Sequence, residues 1–208
     1  MSAYSTLRRL ARQGPPTAAA AQAQCELCSQ TIPDEHRHLL ELPSRQVRCV
    51  CYACSVLFAR ETASEGGSRF RLIPERRLYL PDFDLTDAEW DRLRIPVGMA
   101  YILSQGLAFY PGPLGATQAF LDADVWQQVQ DRNPVLRQMQ PDVEALLVNR
   151  VRGSREHYLV PIDECYRLVG VIRAAWGGLT GGAQAWATVG SFFQALRARS
   201  KTFSQVTK

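Results

Sequence analysis

Lysine is almost missing from this chain of 208 residues: Lys201 and Lys208, both in the tail, stand beside twenty-two arginines. The arginines are scattered and the formal net charge is only +4. That excess is modest for a duplex-binding protein, whose affinity grows with each phosphate neutralised. Long apolar runs are missing too. No segment approaches eighteen consecutive apolar residues, so no helical membrane span and no membrane insertion is expected. The opening MSAYSTLRRLARQGPPTAAAAQAQ contains arginines but no continuous apolar stretch before a cleavage site, which argues against a secretory signal. Catalytic fingerprints are also lacking. No GxSxG, HExxH, phosphate-loop or dinucleotide pattern occurs, and an enzyme reading has no residues to stand on.

What is present is ordinary globular composition, 46% hydrophobic and 21% charged, which excludes collagen-like, coiled-coil and fully disordered chains. The unusual feature is where cysteine falls. Of six cysteines, Cys25, Cys28, Cys49, Cys51 and Cys54 lie within thirty residues, and Cys165 stands apart. With export unsupported, a reducing cytoplasm is the expected compartment. CxxC spacings there point to metal or redox chemistry rather than to a disulfide scaffold.

The chain divides into a flexible leader (1–24), a cysteine module (25–60), the polar joint ETASEGGS (61–68) and an α+β domain (69–208). Arg8, Arg9 and Arg12 in the leader offer a short basic helix, against which the alanine run and Pro15-Pro16 favour disorder. In the large domain, Phe70 with Leu72 and Leu78 with Leu80 predict short strands around Pro74. Thr86-Asp87-Ala88-Glu89 is a capping box, with Leu85 and Trp90 as its hydrophobic staple, and Pro96 limits the helix it starts. A strand over 107–110 leads into a PGPLG turn. Val125, Trp126 and Val129 suit a short helix, and Asn133-Pro134 reads as an N-cap with proline at the first helical position. Residues 143–151 and 157–162 read as a hairpin about Arg152-Gly153-Ser154. Asp163 can then cap a helix bearing Cys165, Leu168, Val169, Ile172 and Trp176. After a glycine-rich turn, Trp186, Val189, Phe193 and Leu196 repeat at helical spacing, so the domain ends in two amphipathic helices.

Cys25-Glu26-Leu27-Cys28 and Cys51-Tyr52-Ala53-Cys54 are two pairs separated by 22 residues. Each two-residue gap lets a tight turn aim both sulfurs at one point, and two pairs supply four thiolates for a tetrahedral ion. Residues 31–50 can form a hairpin or loop between the pairs, and 55–58 can begin a short helix after them, as in zinc-ribbon or treble-clef modules. Zinc is the expected ion. Iron is compatible with the same four sulfurs, since the spacing does not separate the two. Cys49 is a fifth thiol, with His36 and His38 in the preceding loop: these three either make an additional metal or redox position or pack and hydrogen-bond locally. Arg37, Arg45, Arg48 and Arg60 with Tyr52 would suit a nucleic-acid face, but Glu26, Asp34, Glu35 and Glu41 dilute it, and nucleic acid is not the expected partner.

Weaker features carry bland readings. The glycines of 177–182 lack a following lysine and suit a turn between helices. His157 has no candidate nucleophile or paired carboxylate, which suits a structural histidine. Cys165 lies on an apolar stripe and reads as core.

CELC at Cys25, HRHLL at His36, CVCYACSVLF at Cys49, FDLTDAEWDRLRIPVGMA at Phe83, FYPGPLGAT at Phe109, PDVEALLVNRVRG at Pro141 and HYLVPIDECYRLVGVIRAAWGGLTGG at His157 together resemble a bacterial family of uncharacterised proteins. Its genes tend to lie beside those of nickel-iron hydrogenases and iron-sulfur scaffold proteins. The resemblance implies an accessory or assembly role with a protein partner, hydrogenase subunits or maturation factors. Cys25, Cys28, Cys51 and Cys54 match the family's metal-ligand-like positions, and Cys49, His36 and His38 match its pattern. The expectation is a non-enzymatic, zinc-binding accessory protein. Rubredoxin-like iron for electron transfer or iron handling, and a zinc-ribbon regulator of nucleic acid, are the alternatives.

Overall fold

In the computed structural model, residues 23–59, 69–177 and 181–204 are described. The leader through residue 22, Arg60 and the joint over 61–68 lie outside them. The first unit is a hairpin, β1 (Arg37–Glu41) with β2 (Gln46–Val50), followed by helix α1 (Tyr52–Ala59). β3 (Phe70–Leu72), beyond the joint, adds to the free edge of β1 and completes a three-stranded antiparallel sheet ordered β2-β1-β3.

The second sheet contains β4 (Leu78–Tyr79), β5 (Met99–Leu103), β6 (Leu107–Gly112), β7 (Gly115–Phe120), β8 (Glu144–Asn149), β9 (Glu156–Pro161) and β10 (Lys201–Thr202). Its order is β10-β4-β9-β8-β5-β6-β7, antiparallel except where β10 runs parallel to β4. Successive side chains of a strand point to opposite faces, and both faces here are covered. Ala100, Ile102, Leu146, Val148 and Leu159 face helices α2 (Asp87–Arg92) and α3 (Ala123–Arg132) through Trp90, Val125, Trp126 and Val129. Tyr101, Leu103, Leu147, Tyr158 and Val160 face α4 (Ile162–Ala175) and α5 (Gly182–Arg199) through Cys165, Leu168, Ile172, Phe193 and Leu196. The result is an α+β sandwich with helices on either side of a central sheet, attached to a small cysteine-bearing unit.

The capping box forms as read: Thr86 accepts from the Glu89 amide, and the Glu89 carboxylate accepts from the Thr86 amide at 3.0 Å. The hairpin about Arg152 also forms. Four readings need correction. α2 stops at Arg92, and the left-handed Arg94 turns the chain before Pro96 is reached. The PGPLG turn narrows to Pro113-Leu114, because Pro111 and Gly112 belong to β6 and Gly115 opens β7. Asn133 makes no side-chain cap to the short 3-10 helix Pro134–Gln138. Fully buried, it accepts from the Asp84 amide and donates to the carbonyls of Asp84 and Val129, joining the chain before α2 to the end of α3. Asp163 is not the cap of α4, because the helix begins one residue earlier with Pro161 in the capping position.

Two buried glutamates fasten the rim of this core. Glu144 on β8 takes Arg76, and Glu164 in the first turn of α4 takes Arg77, Arg167 and Arg199. His157 is buried against Phe83, with ring centroids 4.8 Å apart. No helix among the described residues is long and apolar enough to cross a membrane.

Candidate metal centre

The first cysteine pair sits on a knuckle made by local backbone bonds. Gln24 and Thr31 form a single antiparallel bridge, Cys25 N–H donates to the Gln30 carbonyl at 2.7 Å, and Ser29 adopts the left-handed conformation needed to close the turn. The knuckle is then fixed to β2. Glu26 N–H donates to the Cys49 carbonyl, the Cys49 N–H donates back to the Glu26 carboxylate, both at 2.9 Å, and Arg48 bridges Glu26 and Glu41.

The second pair straddles the start of α1. Cys51 ends the hairpin and Cys54 lies three residues on, one helical turn away and on the same side. Cys54 N–H points at Cys51 Sγ across 3.4 Å. Knuckle, hairpin and helix follow one another in the order expected of a zinc-ribbon or treble-clef-like module.

Together these elements bring the sulfurs of Cys25, Cys28, Cys51 and Cys54 within 4.8 Å of one another, with Cys28 Sγ 3.7 Å from Cys51 Sγ. Four thiolates at about 2.3 Å from a tetrahedral ion stand about 3.8 Å apart. The tetrad can therefore hold a metal ion with little movement. Its surroundings are the small core of Ile32, Leu39, Val50 and Phe70, of which the buried cysteines are themselves a part.

Electrostatics in the tetrad are uneven. Burial works to raise the Cys25 thiol, but the amides of Cys51, Leu27 and Cys28 outweigh it and bring it down to about 6. Burial, and then the neighbouring sulfurs of Cys51, Cys28 and Cys25, hold the Cys54 thiol far above its ordinary range. One thiolate forms readily and resists the next. A cation is what allows all four to be ionised together, releasing protons as it binds.

His36, His38 and Cys49 form a second cluster, their ligand atoms also within 4.8 Å of one another. His38 and Cys49 are direct partners in the β1–β2 register, and the two imidazoles meet edge to face at 4.9 Å. His38 Nδ1 donates to Asp163 Oδ2 at 2.8 Å, across 125 residues of sequence. That reach is why Asp163 was not legible as part of a site: its position invited a helix cap. Glu26, hidden inside the first CxxC, is the other residue the spacing did not single out.

The arginines near the module are engaged. Arg37 pairs with Glu75 and lies over the Tyr52 ring, Arg45 pairs with Asp142, and Arg48 pairs with Glu26 and Glu41. Cys165 is buried in the large core and belongs to neither cluster, and burial pushes its thiol up.

No curated protein and no solved structure matches the chain. A model of a family of unknown function, DUF5947, matches residues 24–200, which takes in the tetrad, the second cluster and the whole large sheet short of its last strand, and the chain belongs to that family.

Proposed function

We propose that this is a non-enzymatic accessory protein of the cytoplasm, in which the tetrad binds zinc as a structural ion and the ordered module and α+β domain together engage a protein partner. The observation that carries the reading is the sulfur spacing: 3.7 Å between Cys28 and Cys51, each contributed by a different pair, within a closed set of four. A closed thiolate set with no open position is the pattern of structural zinc. The module's apolar core is small, and metal binding supplies folding energy that such a unit needs.

Partner binding is supported by large apolar side chains left exposed on two elements: Tyr52 and Leu57 on α1, and Leu114 and Phe120 on the β6–β7 hairpin. The gene neighbourhood suggested by the family resemblance points to assembly of a metalloenzyme, nickel-iron hydrogenase first. The test is metal analysis of the purified full chain with co-purification from its host. The expected result is at least about one colourless, tightly held zinc per chain, lost in Cys25→Ser or Cys54→Ser, with hydrogenase subunits or maturation factors recovered alongside. A folded wild type free of metal, or a coloured ferric-thiolate form, overturns the zinc reading. Recovery without any metalloenzyme component overturns the assembly role.

A further inference from the structure

We infer that His36, His38 and Cys49 form a second cation site, distinct from the tetrad, which takes a borderline divalent transition metal on two imidazole nitrogens and one thiolate. Hydrogen bonding has already selected the ring atoms. Pro33 O can only accept, so His36 Nδ1, at 2.9 Å from it, must carry the proton. Asp163 Oδ2 likewise accepts from His38 Nδ1. In the neutral rings both Nε2 atoms are therefore lone pairs. A histidine whose second nitrogen donates to a carbonyl or carboxylate is the usual supporting arrangement of a metal-bound imidazole, since it fixes the tautomer and raises ligand basicity.

The unsatisfied atoms point the same way. His36 Nε2 and Asp163 Oδ1 are buried without a hydrogen-bond partner. Both are electron-pair donors on side chains that contact His38, and what would satisfy both is positive charge. Leaving such atoms unpaired is unfavourable, and a bound cation compensates the carboxylate while coordinating the imidazole. One ligand atom from each of the three residues lies within 4.8 Å of the others, against separations of about 3.3–3.6 Å for metal–nitrogen bonds near 2.0 Å and metal–sulfur bonds near 2.3 Å, so side-chain rotation suffices to close the set. Entry is provided by a cleft of about 850 Å³ between the module and the large domain, lined by His36, His38 and Asp163.

The donor set decides the class of ion. Imidazole and thiolate suit zinc, cobalt, nickel or copper and disfavour magnesium and calcium, which take oxygen ligands. Three protein ligands leave a fourth position open, the pattern of a reactive or exchanging ion rather than a structural one.

The experiment adds cobalt(II) to the full-length, zinc-loaded protein, following absorption and zinc release together. The expected result is roughly one further equivalent bound with a thiolate-to-cobalt charge-transfer band and no zinc released. Cys49→Ser abolishes the band while keeping its tetrad zinc, and His36→Ala and His38→Ala weaken binding. Asp163→Asn weakens it by about 10- to 100-fold. Cobalt that only displaces zinc, or a band unchanged in Cys49→Ser and in both histidine variants, overturns the site. If the tetrad itself carries no metal, a cobalt band that survives Cys54→Ser but not Cys49→Ser still supports it.

Discussion

Acid should weaken the large domain through one histidine in particular. His157 lies on β9 with its ring stacked on Phe83 and its Nε2 buried without a partner. Burial, with Arg150 and Arg155 adding like charge, lowers its pKa to about 4. Asp87 pairs with both arginines, a single negative charge set against their two positive ones. In the unfolded chain the same imidazole titrates near 6.5. Between those values the unfolded state binds a proton that the folded state refuses, so stability is full above about pH 6.5 and falls as the pH drops toward 4. The separation is worth about 3 kcal/mol in full, of which about 2 kcal/mol is already lost at pH 5. All four tryptophans lie in this domain, at 90, 126, 176 and 186, so urea unfolding followed by indole fluorescence reports on it directly. His157→Phe keeps an aromatic ring against Phe83 and removes the titration. The unfolding free energy of the wild type should therefore fall from pH 7 to pH 5 by about 2 kcal/mol more than that of the variant. Parallel decline of the two would refute the assignment.

Two substitutions test how the parts are joined. Asn133→Ala takes from the amide and carbonyl of Asp84 their side-chain partner, while the Val129 carbonyl keeps the backbone N–H of residue 133, and should cost about 2–3 kcal/mol in urea unfolding, whereas an ordinary helix cap would cost about 1 kcal/mol. Leu40→Ala removes a fully buried side chain that belongs to β1 but packs in the large-domain core. A loss of about 2–5 kcal/mol is expected, with faster hydrogen exchange both in β1–β2 and at the α4 face of the sheet; exchange confined to the module would show that the two cores are independent.

How much was legible in the sequence follows from how local each signal is. The tetrad was legible because CxxC places two sulfurs within one turn and needs only a hairpin to bring the second pair over. The capping box at Thr86 and the hairpin about Arg152 were legible for the same reason: their partners are three to a dozen residues apart. Met99–Leu103 is not legible as a strand because every residue in it is buried. A strand covered on both faces has no alternation to read. Asn133 and Asp163 show the opposite failure. Each carries a side chain suited to capping and stands at a helix start, but a tertiary partner took it: Asp84 in one case and His38 in the other.

The β1–β2 register ties the two cysteine clusters together. Leu39 and Val50 line the cysteine core, while Leu40 and Val47 pack against the large domain. His38 and Cys49 are partners on the same face as Leu40 and Val47, as period-two alternation requires. A slip of one residue in either strand would invert that strand's faces, taking Leu39 or Val50 out of the cysteine core and breaking the His38–Cys49 pairing. The tetrad opposes such a slip at the C-terminal end of β2. The knuckle that carries Cys25 and Cys28 is hydrogen-bonded through Glu26 to the backbone of Cys49, and Cys51 follows the last residue of the strand. An ion on the four sulfurs would therefore fix more than its own module: it would hold in place the register that sets His38 across from Cys49 and within reach of Asp163.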